Sequence, residues 1–528
     1  MFFVQDALVD GDPVLRLASC ESLGRLVSLT STSFLTSQIQ LLVDQVVNNR
    51  DPNGRAGCAL AFGAIYAHIG GLAAGSLLKT IVNVLMSLSN DPHPIVHYWA
   101  LHALSRVINS ASLAYAPFVS GTLGMLLKVY LLESHEPEGG SLSNANLSGD
   151  YPAYPVVCQI IDAVITILGP DIQESPRTRI LVLNLVHEFS VEAHEAICVE
   201  ALKCIQHFLM FAPEHVSIPE LVGRFRAHLS SHRRPLKLAS INALYQLVQR
   251  DALAMSKLGG DRLVEDLFGM LDDDSSVEGV KSVISSWLQQ TVLHNPSAWI
   301  DLCQRIMART TASQRVADAA ATRGNLRDDE GDSLNIGAGQ DKTGTRGSHL
   351  ISRWRTQLFA LHCLHDICTI VSQSGRKEHI DMVFAKSLGI TTSDLLVSRV
   401  PDLIKMAFTA STAYVSEIRL EGLVVLRDVI EVISTYLLHP SPLTILQIFA
   451  TAPDPDYTDA LLLEQHQAPI TAALTPAFSS DSTPEILSAA VKTSAIFIGC
   501  GVVKDTNRMG RILKLLTVAL DQSKGLCV

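Results

Sequence analysis

Small and apolar residues recur along this chain at the spacing of an α-helix, and the pattern restarts at each of three Asp-Pro pairs. The pairs begin at Asp12, Asp51 and Asp91, so successive units are 39 and 40 residues long. Because proline has no backbone N–H and disfavours helical geometry in the residue before it, each pair is expected to end one helix and to start a turn. A basic or polar residue follows each pair: Arg16, Arg55 and His97. A period of about 40 residues is typical of the two-helix repeats of the HEAT and armadillo classes.

The pattern returns further along the chain and predicts the fold class. In the segment RRPLKLASINALYQLV, Lys237 occupies the place of Arg16, and the segment that begins at Val415 repeats the spacing again. Hydrophobic residues make up 48% of the chain but aromatic residues only 6%, which suits closely packed helices better than sheets. We therefore expect an all-α protein, an α-solenoid of HEAT/armadillo-type helical repeats. Its 528 residues accommodate about a dozen units.

Two polar stretches interrupt the repeats and define the predicted domain organisation. Residues 134–154 are rich in Gly, Ser, Asn and Pro and are expected to form a loop insertion. Residues 310–350 contain few large apolar side chains, so they cannot bury enough surface to offset their ordering entropy, and we expect a disordered loop. The solenoid is then divided into a first part, residues 1–309, and a second part, residues 351–528. Because neither terminal unit has the polar outer face that ends a solenoid, the repeats are expected to continue beyond the chain.

The net charge and the cysteine content indicate which partners and which cellular compartment to expect. A net charge of −11 argues against a general nucleic-acid binder, because phosphate backbones require a basic face. The ten cysteines are scattered without a C-x-x-C pair, which is typical of a reducing compartment. The N-terminal residues lack the basic leader of a secretory signal, so the cytosol is the expected location.

One apolar stretch is long enough to cross a bilayer. Between Arg55 and Lys79 there are 23 residues without a Lys, Arg, Asp or Glu. The pair Gly70-Gly71 divides this stretch, and its halves match repeat helices, which are equally apolar when they are buried between neighbours. We therefore predict no transmembrane segment.

The motifs that suggest catalysis or metal binding are incomplete. The segment GGLAAGS lacks the lysine of a phosphate-binding loop, and the three His-Glu pairs lack the second histidine of a zinc-protease helix. The segment HCLHDIC, with His362, Cys363, His365 and Cys368, is the strongest metal candidate. Its cysteines would not join its histidines in one compact ligand set on a helix, so we interpret it as a repeat helix. We expect no metal, no cofactor and no enzymatic activity.

The densest group of basic residues lies in the segment RFRAHLSSHRRPLK, which is predicted to form a helix, a turn and the start of another helix. Its members are Arg224, Arg226, Arg233, Arg234 and Lys237. One interpretation is a partner-binding surface for an acidic peptide or for anionic lipid head groups. The alternative is a solvated turn together with the basic position that recurs in these repeats.

Four segments of the chain carry a resemblance to a known family. They are DPNGRAGCALAFGAIYAHIGGLAAGS, the segment that begins DPHPIVHYWALHALSRV, and RTRILVLNLVHEFS with RPLKLASINALYQLVQRD. With these segments the chain resembles the HEAT-repeat-containing protein 5 family, the large accessory proteins of clathrin adaptors. The resemblance implies a non-enzymatic scaffold that associates with the type 1 clathrin adaptor and its accessory proteins. It also implies a role in transport between the trans-Golgi network and endosomes, with peripheral membrane association through those partners.

The repeat pattern by itself leaves two other classes open. A nuclear transport receptor-like solenoid would share the repeats and the acidic balance, and it would bind a small GTPase or basic localisation peptides. A regulatory arm of a larger enzyme would be joined to a catalytic domain elsewhere in the full-length protein. The residues alone support a long surface suited to protein binding.

Overall fold

A computed structural model describes residues 2–70, 75–132, 150–191, 194–273, 278–325, 353–435, 462–479 and 481–525, and all regular structure in these ranges is helical. The first α-helices are α1 (Phe2–Leu8), α2 (Pro13–Ser28), α3 (Thr32–Asn48), α4 (Pro52–Ile69), α5 (Leu78–Leu88), α6 (Pro94–Ala111), α7 (Val119–Leu127), α8 (Ala153–Leu168), α9 (Asp171–Glu174), α10 (Pro176–Val191), α11 (Glu195–Phe211), α12 (Ile218–Leu229) and α13 (Arg234–Lys257). They are followed by α14 (Gly260–Asp273), α15 (Val280–Thr291), α16 (Pro296–Asn325), α17 (Trp354–Ser374), α18 (Met382–Ser387), α19 (Val400–Ser411), α20 (Ser416–Thr435), α21 (Gln467–Leu474), α22 (Pro484–Gly499) and α23 (Thr506–Gly525).

The Asp-Pro pairs lie between helices, as the pattern predicts, but the first two pairs already start the next helix where a turn was expected. Helices α2 and α4 begin at the proline of their pair, where a missing N–H costs no hydrogen bond. The preceding aspartates cap them: Asp12 accepts a hydrogen bond from the Val14 N–H at 2.8 Å, and Asp51 accepts one from the Gly54 N–H at 2.9 Å. At the third pair α6 begins two residues later, at Pro94. These local signals fix the repeat boundaries.

The helices of residues 1–246, the first of two compact units, pack in two layers. One layer, which we call the stacked layer, places α2, α4, α6, α8 and α11 side by side in that order. Most of the intervening helices form a second layer, in which α3, α5 and α10 pack on α4, α6 and α11 respectively. Repetition of a two-helix unit in this way is the packing of a HEAT-type α-solenoid, so the predicted fold class is confirmed.

Residues 247–528 form the second compact unit and repeat the arrangement. Its stacked layer consists of α15, α17, α20 and α22, while α14, α16 and α19 pack on α15, α17 and α20. The boundary between the two compact units lies at residues 246 and 247. It therefore precedes the interruption that the sequence predicts at residues 310–350.

The two predicted interruptions lie largely outside the described residues. Helix α16 extends to Asn325, so the first part of the predicted disordered loop 310–350 is helical, and residues 326–352 are not described. Of the predicted insertion 134–154, residues 150–154 are described, and α8 already begins at Ala153. The rest of the domain organisation stays a prediction.

One stretch of the described residues, Pro94–Tyr130, is long and apolar enough to span a membrane by length and composition. It is not one continuous α-helix, because α6 ends before Ser112, whose φ is +48°, and a 3₁₀ segment with Pro117 follows. Helix α6 is packed between α4 and α8 in the stacked layer. Its apolar character therefore follows from burial between repeats.

Candidate partner-binding surface

The predicted basic surface is spread over α12, the turn after it and the start of α13. Arg224 and Arg226 lie half-buried on α12, whereas Arg233 and Arg234 are exposed at the turn and at the first residue of α13. The Arg233 Nε lies 4.0 Å from the Glu195 Oε2 of α11, so part of this charge is balanced by the neighbouring repeat. The four arginines therefore border several elements instead of forming one face of one helix.

Lys237 differs from the other members of the predicted surface because only 9% of it is exposed. It occupies the repeat position of Arg16, Arg55 and His97, of which Arg16 and His97 are almost completely buried and Arg55 is partly exposed. The Arg16 Nη1 donates to the Asp10 carbonyl at 2.7 Å and to Asn53 Oδ1 of the next repeat at 3.0 Å. This recurring position joins a helix to its turn and to the next repeat, so Lys237 belongs to the repeat core and not to an exposed surface.

Arg224 lines a cleft between α10, α11 and α12 that the sequence did not predict. The cleft has a volume of about 230 Å³. Its floor is apolar and formed by buried side chains: Val186, Ile205, Phe208 and Leu221. Its rim is polar and includes Asn184, His187, Ser190 and Glu220. The cleft is formed by the stacking of successive repeats, which cannot be predicted from a local sequence pattern.

The Arg224 guanidinium is held in the wall of this cleft. Its Nη1 donates to the Ser190 Oγ of α10 at 2.8 Å. One turn further along α12, His228 has a pKa below its usual value, first because it is partly buried and second because Arg224 is close. The arrangement places a fixed positive charge beside an apolar depression, which suits binding and not proton transfer.

The metal candidate HCLHDIC lies within a repeat helix, α17. Cys363 and Cys368 are buried in the core of α17, and burial raises the pKa of the Cys368 thiol well above its usual value. His365 Nδ1 is hydrogen-bonded to Asp428 Oδ2 of α20, and His362 Nε2 lies 3.6 Å from the nearest carboxylate oxygen of Glu421. Within the described ranges, His, Cys, Asp and Glu side chains form no group of three or more that could hold a metal ion.

Comparison with known proteins agrees with the repeat assignment. A family model for the Laa1/Sip1/HEATR5 HEAT repeat region matches residues 395–436 and 443–526. Protein SWEETIE from Arabidopsis thaliana is 27% identical over 533 residues, which cover 98% of this chain and 22% of that protein. The AP-1 accessory protein LAA1 from Saccharomyces cerevisiae is 21% identical over 543 residues, which cover 93% of this chain and 24% of that protein.

Among solved structures, importin beta has a TM-score of 0.49 at 12% identity and covers 94% of this chain and 57% of its own. Kap121p bound to RanGTP has a TM-score of 0.45 at 13% identity, over 98% of this chain and 46% of its own.

The two-layer packing and the family model define the chain as a HEAT-repeat α-solenoid. Within that class, residues 395–436 and 443–526 match the Laa1/Sip1/HEATR5 HEAT repeat region, and the chain is similar to SWEETIE and to LAA1 over most of its length, which supports the predicted resemblance to the HEAT-repeat-containing protein 5 family. The chain spans 22% and 24% of the length of the two curated relatives, so it corresponds to less than a quarter of either.

Proposed function

We propose that this chain is part of a non-enzymatic HEAT-repeat scaffold in clathrin-adaptor-dependent vesicle traffic between the trans-Golgi network and endosomes. The observation that carries the proposal is its similarity, over 93% of its length, to a protein named as an AP-1 accessory protein. The type 1 clathrin adaptor and its accessory proteins are the proposed partners.

The packing of the repeats supports a binding role. Stacking of two-helix units exposes long helix faces and the grooves between them, which are suited to protein partners. Among the described cysteines, burial raises the pKa of the Cys20 and Cys58 thiols to about 12, so these thiols are not poised as nucleophiles at neutral pH. Cys303 is buried in the same way, and its pKa is also raised to about 12.

The proposed cellular roles follow from this assignment. They are intracellular protein transport, retrograde endosome-to-Golgi transport, endocytosis and protein localisation. The protein would be cytosolic and would be recruited by its partners to the Golgi, the trans-Golgi network, endosomes and endocytic vesicles.

Affinity purification of the tagged full-length protein from cytosol, read by mass spectrometry beside a tag-only control, tests the proposal. We expect the subunits of the type 1 clathrin adaptor to be enriched over the control, and we expect the tagged protein to leave Golgi and endosomal membranes when the adaptor is depleted. Recovery of a small GTPase with nuclear cargo, and no adaptor subunit, would contradict it.

A further inference from the structure

We propose that the cleft between α10, α11 and α12 binds a short linear peptide that carries one bulky apolar side chain beside an acidic residue. The apolar side chain would enter the cleft, and the carboxylate would bind Arg224. This inference rests on the proposed function in taking the occupant to be a partner protein of the scaffold.

The size and lining of the cleft argue for a single side chain. Its volume of about 230 Å³ is below the range of about 300 to 1,000 Å³ that is usual for small-molecule sites. Val186, Phe208 and Leu221, which form its floor, are at most 4% exposed, so the depression is preformed by packed core residues. A leucine or phenylalanine side chain would bind such a floor because it removes apolar surface from water.

The charge beside the cleft argues for an acidic residue next to that side chain. The Arg224 hydrogen-bond acceptor in the wall is the neutral hydroxyl of Ser190, so its positive charge is oriented without being neutralised by this contact. A planar guanidinium whose direction is already fixed binds a carboxylate with little further loss of side-chain entropy.

Glu220 sets the orientation of the peptide. It lies on the rim of the same cleft, one turn before Arg224 on α12. A second carboxylate of the peptide would be repelled at the Glu220 end and attracted at the Arg224 end. The acidic residue is therefore expected on one side of the apolar residue only, towards the turn that carries Arg233.

The test uses the purified 528-residue chain and an array of synthetic 12-residue peptides. Each peptide carries one Leu or Phe flanked on one side by Asp or Glu. Matched sets replace the acids by Asn and Gln, replace the apolar residue by Ser, or replace the acids by Lys. We expect the acidic set to bind best, with about a ten-fold loss on removal of either the charge or the apolar side chain.

Two variants of the chain place the binding in the cleft. Arg224→Gln removes the charge and keeps a donor for Ser190, and we expect about ten-fold weaker binding of the acidic peptides with little change for the Asn/Gln set. Asn184→Trp puts a large ring at the exposed rim, and we expect it to weaken binding of every peptide with a Leu or Phe. Arg25→Gln, a change of an exposed arginine on α2, is the matched control and should bind as the unmodified chain does. Thermal melts followed by circular dichroism confirm that each variant is folded.

Two results would overturn the inference. One is equal binding of the acidic peptides by Arg224→Gln, Asn184→Trp and Arg25→Gln. The other is a preference of the unmodified chain for the Lys set or for the Ser set. The outcome is separable from that of the proposed function: if the full-length Arg224→Gln and Asn184→Trp variants recover adaptor subunits and the acidic peptides still bind both, the cleft assignment fails while the scaffold function stands. If the peptides bind as expected and no adaptor subunit is recovered, the cleft assignment stands with another partner.

Discussion

Two contacts between neighbouring helices, one in the stacked layer of each compact unit, are built from different chemistry. Between α4 and α6 the backbones approach closely at Gly63, where an added Cβ would lie 2.9 Å from the Ala103 Cα. Between α17 and α20 the contact includes polar side chains, since His365 of one helix is hydrogen-bonded to Asp428 of the other. The same stacking of repeats is therefore held by backbone shape in one place and by a titratable pair in the other.

Because the backbones of α4 and α6 approach closely, the charged side chains lie at the edge of this contact. Glu21 of α2 accepts a hydrogen bond from Arg106 Nη1 of α6 at 2.5 Å and contacts His68 Nε2 of α4 at 2.9 Å. The carboxylate thus joins three successive helices across α4, whose residues from Ala56 to Tyr66 are all buried. Because α4 is narrow at its small residues, side chains of α2 and α6 can meet over it.

In the second unit, a glycine allows close approach at a different kind of contact. A Cβ added at Gly422 of α20 would lie 2.5 Å from the Ser411 N of α19, the helix that precedes it in the chain. The close approach there is within a repeat and not between repeats. Side chains, including His362 and Glu421, then occupy the space between α17 and α20. The two contacts should consequently respond differently to added volume and to pH.

The largest expected effect is that of adding volume at the first contact. Gly63→Ala places a methyl group against the backbone of Ala103, which cannot move as a flexible side chain would. We expect a loss of about 1–3 kcal/mol in the free energy of opening of α4 and α6. Native-state hydrogen exchange of the amides in these two helices measures it.

Gly124→Ala on α7 is the matched control for this change. Nothing lies within 4 Å of a Cβ added at Gly124, so alanine should be neutral or stabilise the helix by about 0.5–1 kcal/mol. Equal protection of α4 and α6 in the two variants would show that the close approach does not determine the stability of this contact.

The second contact should weaken as the pH rises. The hydrogen bond with Asp428 raises the pKa of His365 above its usual value of 6.5, against the opposing effect of burial. The folded state therefore binds the proton more tightly than the unfolded state. Its contribution is complete below a pH of about 6.5 and is lost as the pH rises through the folded pKa. Asp428→Asn should remove about 0.5–1 kcal/mol at pH 6, since the imidazole is partly exposed and screened, and less at pH 8.5.

Urea unfolding of the unmodified chain and of Asp428→Asn, at intervals between these two pH values, measures the difference. Asp162→Asn is the positive control, because Asp162 Oδ1 lies 2.6 Å from His207 Nδ1 and raises the pKa of that histidine too. Asp44→Asn, a change of an exposed aspartate on α3, should leave the free energy of unfolding unchanged at both pH values. If the loss of stability in Asp428→Asn increased towards pH 8.5, the predicted pH dependence of the His365–Asp428 pair would be wrong.

The sequence predicts those parts of the fold that depend on neighbours in the chain. Asp12 and Asp51 cap helices that begin at the following proline, and both the turn and the cap are local. The recurring position does not by itself fix burial, because Arg16 and His97 are buried whereas Arg55 is partly exposed. The alignment of Lys237 with Arg16 therefore leaves its burial open, and the structure places it in the core.

Contacts between repeats could not be predicted in this way. Glu21 and Arg106 are 85 positions apart, and their hydrogen bond requires the small residues of α4 between them. The Arg224–Ser190 hydrogen bond and the cleft beside it likewise depend on the stacking of α10 and α12. One chain specifies the helices and their apolar faces, but the register of one repeat against the next is set by packing of side chains distant in sequence.

A weaker effect, opposite in its pH dependence to that of Asp428→Asn, is expected for Glu21→Gln. Partial burial raises the pKa of Glu21, but the hydrogen bonds with Arg106 and His68 outweigh it and hold the pKa below its usual value of 4.5. The carboxylate contributes stability above the unfolded pKa and loses it as the pH falls through the folded pKa. Because the group is about one-third exposed, we expect Glu21→Gln to cost about 0.5 kcal/mol at pH 7, and the cost to shrink towards pH 4.

The measurement is again urea unfolding, now between pH 7 and pH 4 and at low and high salt. Glu214→Gln, which changes an exposed carboxylate in a 3₁₀ segment, is the control and should leave the curves unchanged. High salt should reduce the cost of Glu21→Gln, since partly exposed ion pairs are screened. A cost that persists at pH 4 would mean that the side chain acts through packing. The α4–α6 contact would then depend on shape alone, and only the α17–α20 contact would respond to pH.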